Sequence, residues 1–229
     1  MKKILLFFAI VSVAGMLASC NGNGKAAEAG TEGTATEENA EDVGFLQGFA
    51  YVDLGLSVNW ATCNVGANAP EELGDYYAWG ETSKKDNYTA ESHKFYGGEG
   101  EFGPKYTKYT SDDNLEKLEV ADDAASNSWG NVWRMPTKAE FQELIDKCTW
   151  TWKDNGYEVK GANGQTIFLP LTGAFWNGSV CNEKIDGLYW SSTADGSMKA
   201  YYLSFADQRK QVSCDGRYYG HQIRPVCAK

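Results

Sequence analysis

The sequence is poor in histidine and lacks the short motifs that mark most catalytic and metal sites. Its only two histidines are His93 and His221. The chain contains no H-E-x-x-H zinc motif, C-x-x-C pair, phosphate-binding P-loop or EF-hand loop. A nucleophilic pair of Cys214 and His221 would need a third, orienting group, which the sequence does not reveal. We therefore expect no catalysis, metal or other cofactor, and we predict that His221 lies on the surface and that Cys214 is in a disulfide.

Positive charge is also scarce. The formal net charge is −10, and an acidic chain is a poor nucleic-acid binder because it repels the phosphate backbone. Long apolar runs are absent beyond the N-terminus, so no other segment could span a bilayer. Nucleic-acid binding is therefore excluded, and contact with a membrane is expected only through the N-terminus.

The N-terminus has the pattern of a bacterial lipoprotein signal. Lys2 and Lys3 precede a mostly apolar run over residues 4–17, which fits a secretory signal better than a membrane span. The following Leu17-Ala18-Ser19-Cys20 resembles the lipobox, at which signal peptidase II cuts before a diacylated cysteine. The alternative is an ordinary signal peptide with a chance cysteine. We predict a signal peptide over 1–19 and a lipidated Cys20, whose two or three acyl chains would hold the protein on the membrane.

Composition divides the rest of the chain in two. Residues 20–44 are acidic, rich in Gly, Ala and Thr, and free of aromatic residues, so they have too little apolar surface to offset the entropy of ordering. We expect a flexible, disordered stalk there. Residues 45–229 contain all eight Trp and all thirteen Tyr, and their length suits one domain with a sizeable core.

Periodicity predicts a strand and a helix at two well-marked places. Leu56, Val58 and Trp60 alternate with polar residues, which indicates a half-buried strand that residues 51–54 either pair with or continue. Extended backbone is expected over 133–135, followed by a short amphipathic helix with a T-x-x-E capping box. The residues that define this helix are Thr137 and Glu140 at its cap, and Phe141, Leu144, Ile145 and Cys148 on its apolar face.

The remaining segments are short and separated by turn-forming residues. We predict one helical turn over 70–74, an extended piece over 75–79, and long surface loops over 80–120 that scattered aromatic side chains fasten to the domain. Short strands are expected at 149–152, 157–160, 166–169, 187–192, 200–205, 211–214 and 222–227. This pattern indicates a sheet-dominated α+β domain with only one or two helices.

Several stretches resemble a known family. They are YVDLGLSVNWATCNVGA at 51–67, GDYYAWGET at 74–82, DDAA at 122–125, WRMPTKAEFQELI at 133–145, YWSS at 189–192 and IRPV at 223–226. In this order they resemble the Fibrobacter succinogenes major paralogous domain family, which is common among exported lipoproteins of Bacteroidetes. That family is similar to the C-type-lectin-like fold, which includes formylglycine-generating enzymes. The resemblance implies a small twisted antiparallel sheet, two flanking helices and a long irregular loop region, with Trp190 and Arg224 in the buried core.

The resemblance also bears on metal sites. Enzymes of this fold hold copper with two closely spaced cysteines, whereas Cys214 and Cys227 are far apart in the chain and have no close second cysteine. Calcium-dependent lectins of this fold carry Trp-Asn-Asp, whereas this chain has Trp176-Asn177-Gly178, which lacks the carboxylate ligand. Formylglycine-generating activity and a lectin-type calcium site are therefore not expected.

Five cysteines remain after lipidation, and an exported protein can form disulfides. The resemblance to formylglycine-generating enzymes implies a Cys148–Cys227 bridge, because those enzymes link a cysteine after the corresponding helix to one behind the final strand. Cys181 and Cys214 both lie in loops rich in Gly, Asn and Asp, and we predict that they pair. Cys63 would then be the odd thiol.

The segment 206–221 is the predicted binding region. It contains Arg209, Arg217, Tyr218 and Tyr219, and Tyr and Arg are the side chains that most often supply binding energy at interfaces. Relatives of the fold commonly place ligand contacts in this last stretch, although a plain solvated hairpin would have a similar composition. We expect an outer-membrane lipoprotein of the cell envelope that displays a non-enzymatic domain to bind a glycan or a protein. A structural subunit of a cell-surface complex and, less favoured, a formylglycine-class enzyme are the alternatives.

Overall fold

The computed structural model describes residues 42–229, which form small antiparallel sheets and two α-helices in an α+β arrangement. The strands and helices, in chain order, are β1 (Val43–Leu46), β2 (Phe49–Val52), β3 (Asn59–Ala61), β4 (Tyr96–Gly100), β5 (Gly103–Tyr106), α1 (Ala124–Trp129), β6 (Trp133–Arg134), α2 (Lys138–Lys147), β7 (Thr149–Lys153), β8 (Gly156–Lys160), β9 (Thr166–Pro170), β10 (Ala174–Trp176), β11 (Ser179–Cys181), β12 (Gly187–Asp195), β13 (Lys199–Ala206), β14 (Arg209–Gly216) and β15 (Val226–Cys227). A 3₁₀ turn, Val120–Asp122, precedes α1.

A five-stranded sheet in the order β1-β2-β3-β15-β6 lies at the centre. Of the two arrangements predicted for residues 51–54, pairing is the one observed, because Tyr51 pairs with Ala61 and Val52 with Trp60. The strand is shorter than predicted: Leu56 and Val58 are buried but lie in bends. The alternation of apolar and polar residues therefore identified the buried side chains correctly, although the backbone at Leu56 and Val58 is not paired in the sheet.

Two three-stranded sheets and two hairpins complete the domain. The sheets are β7-β8-β9 and β12-β13-β14, and the hairpins are β4-β5 and β10-β11. The strands predicted from residue 149 to residue 214 are present, whereas the last predicted strand is reduced to β15. Residues 70–74 form a turn without a helix, and the predicted loop region 80–120 contains the β4-β5 hairpin.

The predicted amphipathic helix is α2, and its capping box is present. The Glu140 N–H donates to Thr137 Oγ1 at 3.2 Å, and the Thr137 N–H donates to Glu140 Oε2 at 2.7 Å. Arg134 adds a charged bond from Nη1 to the same carboxylate oxygen at 2.8 Å. Phe141 and Leu144 are fully buried on the inner face. These residues serve the scaffold, because every polar contact in the group stabilises the start of the helix.

Two hydrophobic clusters lie on opposite sides of β15. We call them the α2 cluster, which contains Phe141 and Val226, and the α1 cluster, which contains Trp133, Trp190 and Cys227. Val226 and Cys227 enter different clusters because consecutive strand residues point to opposite faces. Both clusters therefore depend on the same two-residue strand.

Arg224 is buried just before β15, as predicted. Its guanidinium donates to Asn64 Oδ1 at 2.8 Å and to the carbonyl oxygens of Thr62 at 2.9 Å and Ala61 at 3.2 Å. Trp190, the other residue predicted to be internal, is also fully buried. Arg224 thus holds the loop after β3 against the chain that leads into β15.

All five cysteines in the described part of the chain are free thiols. Cys148 packs on the α2 cluster and Cys227 lies in the α1 cluster, so a bridge between them would require one thiol to change sides. Cys181 lies on β11 and Cys214 on β14, strands of separate sheets. The predicted pairings are absent from this structure and stay predictions for the oxidised protein.

The predicted N-terminal segments lie mostly outside the described residues, and Cys20 is among the undescribed ones. Residues 43 and 44, which were assigned to the disordered stalk, form the start of β1 and pair with β2. The folded domain therefore begins about two residues earlier than predicted. Within residues 42–229, no helix is both long enough and apolar enough to cross a bilayer.

Candidate functional site

The four residues of the predicted binding surface occupy three different settings. Arg209 begins β14, and its Nη2 atom forms an ion pair of 2.7 Å with Asp186 Oδ1. The other three residues follow the opposite end of β14 at Gly216. Since a strand rises about 3.3 Å per residue, the two ends of β14 are roughly 20 Å apart. Arg209 therefore does not share a compact pocket with the tyrosines.

Arg217 lies in the interior instead of on the predicted surface, since its side chain is fully buried. Its guanidinium donates to the carbonyl oxygens of Tyr109 at 2.6 Å, Gly196 at 2.7 Å, Lys108 at 3.1 Å and Lys199 at 3.2 Å. These carbonyls belong to two separate segments, so Arg217 joins the loop after β5 to the β12–β13 turn. A ligand cannot reach it, which corrects its assignment as a contact residue.

Two aromatic rings surround the Arg217 charge. The guanidinium carbon lies 4.7 Å from the centre of the Trp79 ring and 5.3 Å from that of Tyr106. Burial lowers the pKa of Arg217 to about 10, which still leaves the side chain protonated at neutral pH. The charge is thus held by carbonyl dipoles and ring faces, a cation–π arrangement that strengthens when water is excluded.

Tyr218 and Tyr219 form a small aromatic surface together with Trp176. The two tyrosine rings are 4.5 Å apart, and the Trp176 ring is 6.1 Å from that of Tyr219. Trp176 is 45% exposed, and both tyrosines are half-buried. We call these three residues the aromatic platform.

The hairpin β10-β11 fixes the position of Trp176. Asn177 and Gly178 form its two-residue turn with φ values of 48° and 82°, and positive φ at both positions is the requirement of a type I′ turn. Asn-Gly between two short apolar runs is a recognised hairpin signal, so the sequence contained evidence for this turn. The Trp-Asn-Gly motif bears on calcium alone, so the sequence did not predict that Trp176 is part of an aromatic surface.

A row of polar side chains runs along one face of β14 towards the platform. Residues two apart on a strand share a face, which places Arg209, Gln211, Ser213 and Asp215 together; we call them the polar row. Arg209 and Gln211 are exposed, and the other two are half-buried. Tyr202 lies opposite Ser213 in the β13–β14 register.

The polar row and the aromatic platform meet at Asp215. Burial is the main cause that raises the pKa of Tyr219, and a hydrogen bond to Tyr218 and the charge of Asp215 raise it further. Burial likewise raises the pKa of Tyr202, and Asp215 again contributes. The Tyr218 ring also lies against Gly216, the residue that follows Asp215, so the end of the polar row adjoins the platform.

His221 lies beneath this surface and is fully buried, contrary to the prediction of a surface histidine. Its ring stacks on Trp190 with centroids 4.1 Å apart and lies nearly parallel to Tyr219 at 6.4 Å. Neither ring nitrogen has a hydrogen-bond partner among residues 42–229, and burial lowers the pKa of His221 to about 3. The imidazole is therefore neutral at physiological pH and acts as a flat packing surface.

His93 is also buried, and it is hydrogen-bonded at both nitrogens. Nε2 lies 2.9 Å from the Trp79 carbonyl oxygen, and Nδ1 accepts from the Phe95 N–H at 3.2 Å. This pattern requires a neutral ring protonated at Nε2. Burial lowers the pKa of His93 to about 4. Neither histidine is placed to act on a bound molecule.

A concave site of about 840 Å³ lies along α2. Its acidic groups are already engaged within the protein: Glu140 caps the helix and pairs with Arg134, and Glu143 pairs with Lys147 at 2.7 Å. Across residues 42–229, no group of three or more His, Cys, Asp or Glu side chains is arranged to hold a metal ion. The aromatic platform is therefore the better candidate site, because Trp176 presents an exposed ring there, whereas the acidic groups along α2 are engaged.

No protein-family model, curated protein or solved structure matches this chain. A function is therefore inferred from the geometry of the platform and the polar row.

Proposed function

We propose that this protein is a lipid-anchored envelope protein whose C-type-lectin-like domain binds a glycan on the aromatic platform without calcium. The observation that carries the proposal is Trp176, which a tight hairpin holds 45% exposed beside Tyr219. Aromatic rings offer a flat apolar face, and Trp and Tyr add a hydrogen-bonding edge. A sugar ring has the matching combination of an apolar face and a polar rim.

The arrangement of the sheets supports the proposed fold without deciding it. A central antiparallel sheet receives its C-terminal strand between β3 and β6, two helices pack beside it, and long irregular segments occupy residues 62–95 and 107–119. The resemblance of the sequence to the major paralogous domain family points the same way. Binding is favoured over formylglycine-type catalysis because Cys214 and Cys227 lie on different sheets and do not form a two-cysteine copper site.

The test is a glycan array followed by calorimetry with the full chain purified in detergent. Trp176→Ala and Tyr219→Ala should each weaken binding about 10-fold, which corresponds to about 1.4 kcal/mol. Phe102→Ala is the matched control, since this ring is 83% exposed and lies outside the platform. EDTA should leave the affinity unchanged.

Melting curves of each variant show whether a loss of binding is a loss of folding. The proposal fails if no glycan binds, or if the platform variants bind as tightly as the Phe102→Ala control. Stoichiometric co-purification with another envelope protein, without glycan binding, would favour the alternative of a structural subunit.

A further inference from the structure

We infer that the site takes an extended, uncharged glycan chain that lies along β14, in contrast to a single sugar or an acidic glycan. This inference rests on the proposed glycan-binding function and specifies its ligand. It depends on two features of the surface: the polar row continues the platform along β14, and the charges at the two ends of the row, Arg209 and Asp215, affect what can bind there.

The length of the polar row determines the size of the ligand. Arg209 and Asp215 are six residues apart on one strand, or roughly 20 Å. A single sugar on the platform would contact only the Asp215 end. Gln211 and Ser213 continue the surface with an amide and a hydroxyl, which can each donate and accept hydrogen bonds. Such groups suit the hydroxyl groups of successive neutral sugars.

Charge on the face opposes acidic ligands. Asp215 stands at the platform end of the polar row, where burial raises the pKa of its carboxyl group and a backbone hydrogen bond from Gly216 and the charge of Lys199 partly offset that rise. At the other end the Arg209 guanidinium is already paired with Asp186 at 2.7 Å, so its charge is balanced before a ligand arrives. A ligand carboxylate on the platform would meet the Asp215 charge, and such like-charge contacts are a common source of selectivity.

The experiment measures affinity against chain length and charge, using the full chain in detergent. The ligands are neutral hexose oligomers of about one to six units and uronic-acid oligomers of equal length. Affinity should rise at least 10-fold from the single sugar to the longest neutral oligomer. Uronic-acid oligomers should bind at least 10-fold more weakly than neutral ones, and Asp215→Asn should reduce that difference.

A neighbouring pair of variants separates the polar row from the rest of β14. Gln211→Ala should weaken the binding of long oligomers several-fold and leave the affinity for the single sugar unchanged. Lys210→Ala should change neither, because Lys210 pairs with Phe205 and points to the opposite face of the strand. Both positions are exposed, so neither substitution should unfold the domain.

The outcomes distinguish this inference from the function on which it rests. If no sugar of any length binds, the glycan-binding proposal itself fails. If single sugars and long oligomers bind equally and Gln211→Ala has no effect, only the extended site is overturned. Equal affinity for uronic-acid oligomers would overturn the inferred selection against charge.

Discussion

At the scale of single residues, two arginines of the same predicted binding segment lie in opposite environments, one at the surface and one in the interior. Arg209 has a half-exposed side chain with one ion pair, whereas Arg217 is fully buried and donates to four carbonyl oxygens. Exposed ion pairs contribute about 1 kcal/mol or less. Removing a buried charged group leaves its partners unsatisfied in a place that water cannot enter.

Arg217→Met should therefore lower the free energy of unfolding by about 3–5 kcal/mol, and Arg209→Met by less than about 1 kcal/mol. Urea unfolding followed by tryptophan fluorescence measures both. Equal losses for the two variants would contradict the interior position of Arg217. Binding by folded Arg209→Met protein reports separately on the polar row.

His221 predicts how stability depends on pH. Its pKa is about 3 in the folded protein and about 6.5 in an unfolded chain, so the unfolded state binds the proton first. The contribution of the neutral His221 ring to the free energy of unfolding is fully present above about pH 6.5 and is lost as the pH falls towards 3. Between pH 7 and pH 5 the free energy of unfolding should fall by about 2 kcal/mol because of this one histidine.

A His221→Phe variant removes this titration and keeps a flat ring beside Trp190. The difference in unfolding free energy between pH 7 and pH 5 should therefore shrink by about 2 kcal/mol relative to the unchanged protein. Each protein is compared with itself at two pH values, so a general destabilisation by the substitution does not affect the result. An unchanged difference would show that His221 does not titrate in this range.

The residue types alone could not separate these roles. Arg217, Tyr218 and Tyr219 are consecutive, and each of the three is a residue type that is common at interfaces. Only the partners distinguish them, and the carbonyls that receive Arg217 come from residues about 18 and 108 positions away. Arg224 was predicted to be buried because it stands in a motif of the resembled family, and contacts of that range have no signal in local spacing.

At the scale of elements, prediction succeeded where local chemistry determines the structure. The T-x-x-E box and the apolar spacing of α2 are both local, and the helix begins at the expected place. The β4 strand, by contrast, reads YGGEG and has no alternating apolar side, so its pairing with β5 depends on the rest of the domain. Tertiary packing also overrides the strand propensity of Leu56 and Val58, whose side chains are buried although their backbone forms bends.

The cap of α2 supports a direct test. Thr137→Ala removes the side-chain acceptor for the Glu140 N–H and should lower the free energy of unfolding by about 1 kcal/mol. Thr137→Ser should retain most of the stability, because its hydroxyl can accept the same bond. Thr151→Ala on the exposed side of β7 is the control and should change stability by less than about 0.5 kcal/mol. A cap variant as stable as this control would contradict the capping geometry.

At the scale of the whole molecule, the proposed anchor determines where the domain works. A lipidated Cys20 should hold the protein in the membrane fraction, since two or more acyl chains anchor firmly. Cys20→Ala should abolish labelling with a fatty-acid analogue and release the protein from membranes. Cys63→Ala is the control and should leave both properties unchanged. Persistence of Cys20→Ala in carbonate-washed membranes would refute the lipoprotein proposal.

The position of β15 has a consequence for how the protein is made. This strand lies between β3 and β6, and its two residues enter both hydrophobic clusters, yet it is the last of these strands in the chain. The ribosome synthesises β3 and β6 well before Val226 and Cys227, so the growing chain cannot complete the central sheet until its last residues are made. The proposed lipoprotein would pass through its export channel unfolded, and a fold completed by its latest strand would give the secretion machinery time to engage the chain first.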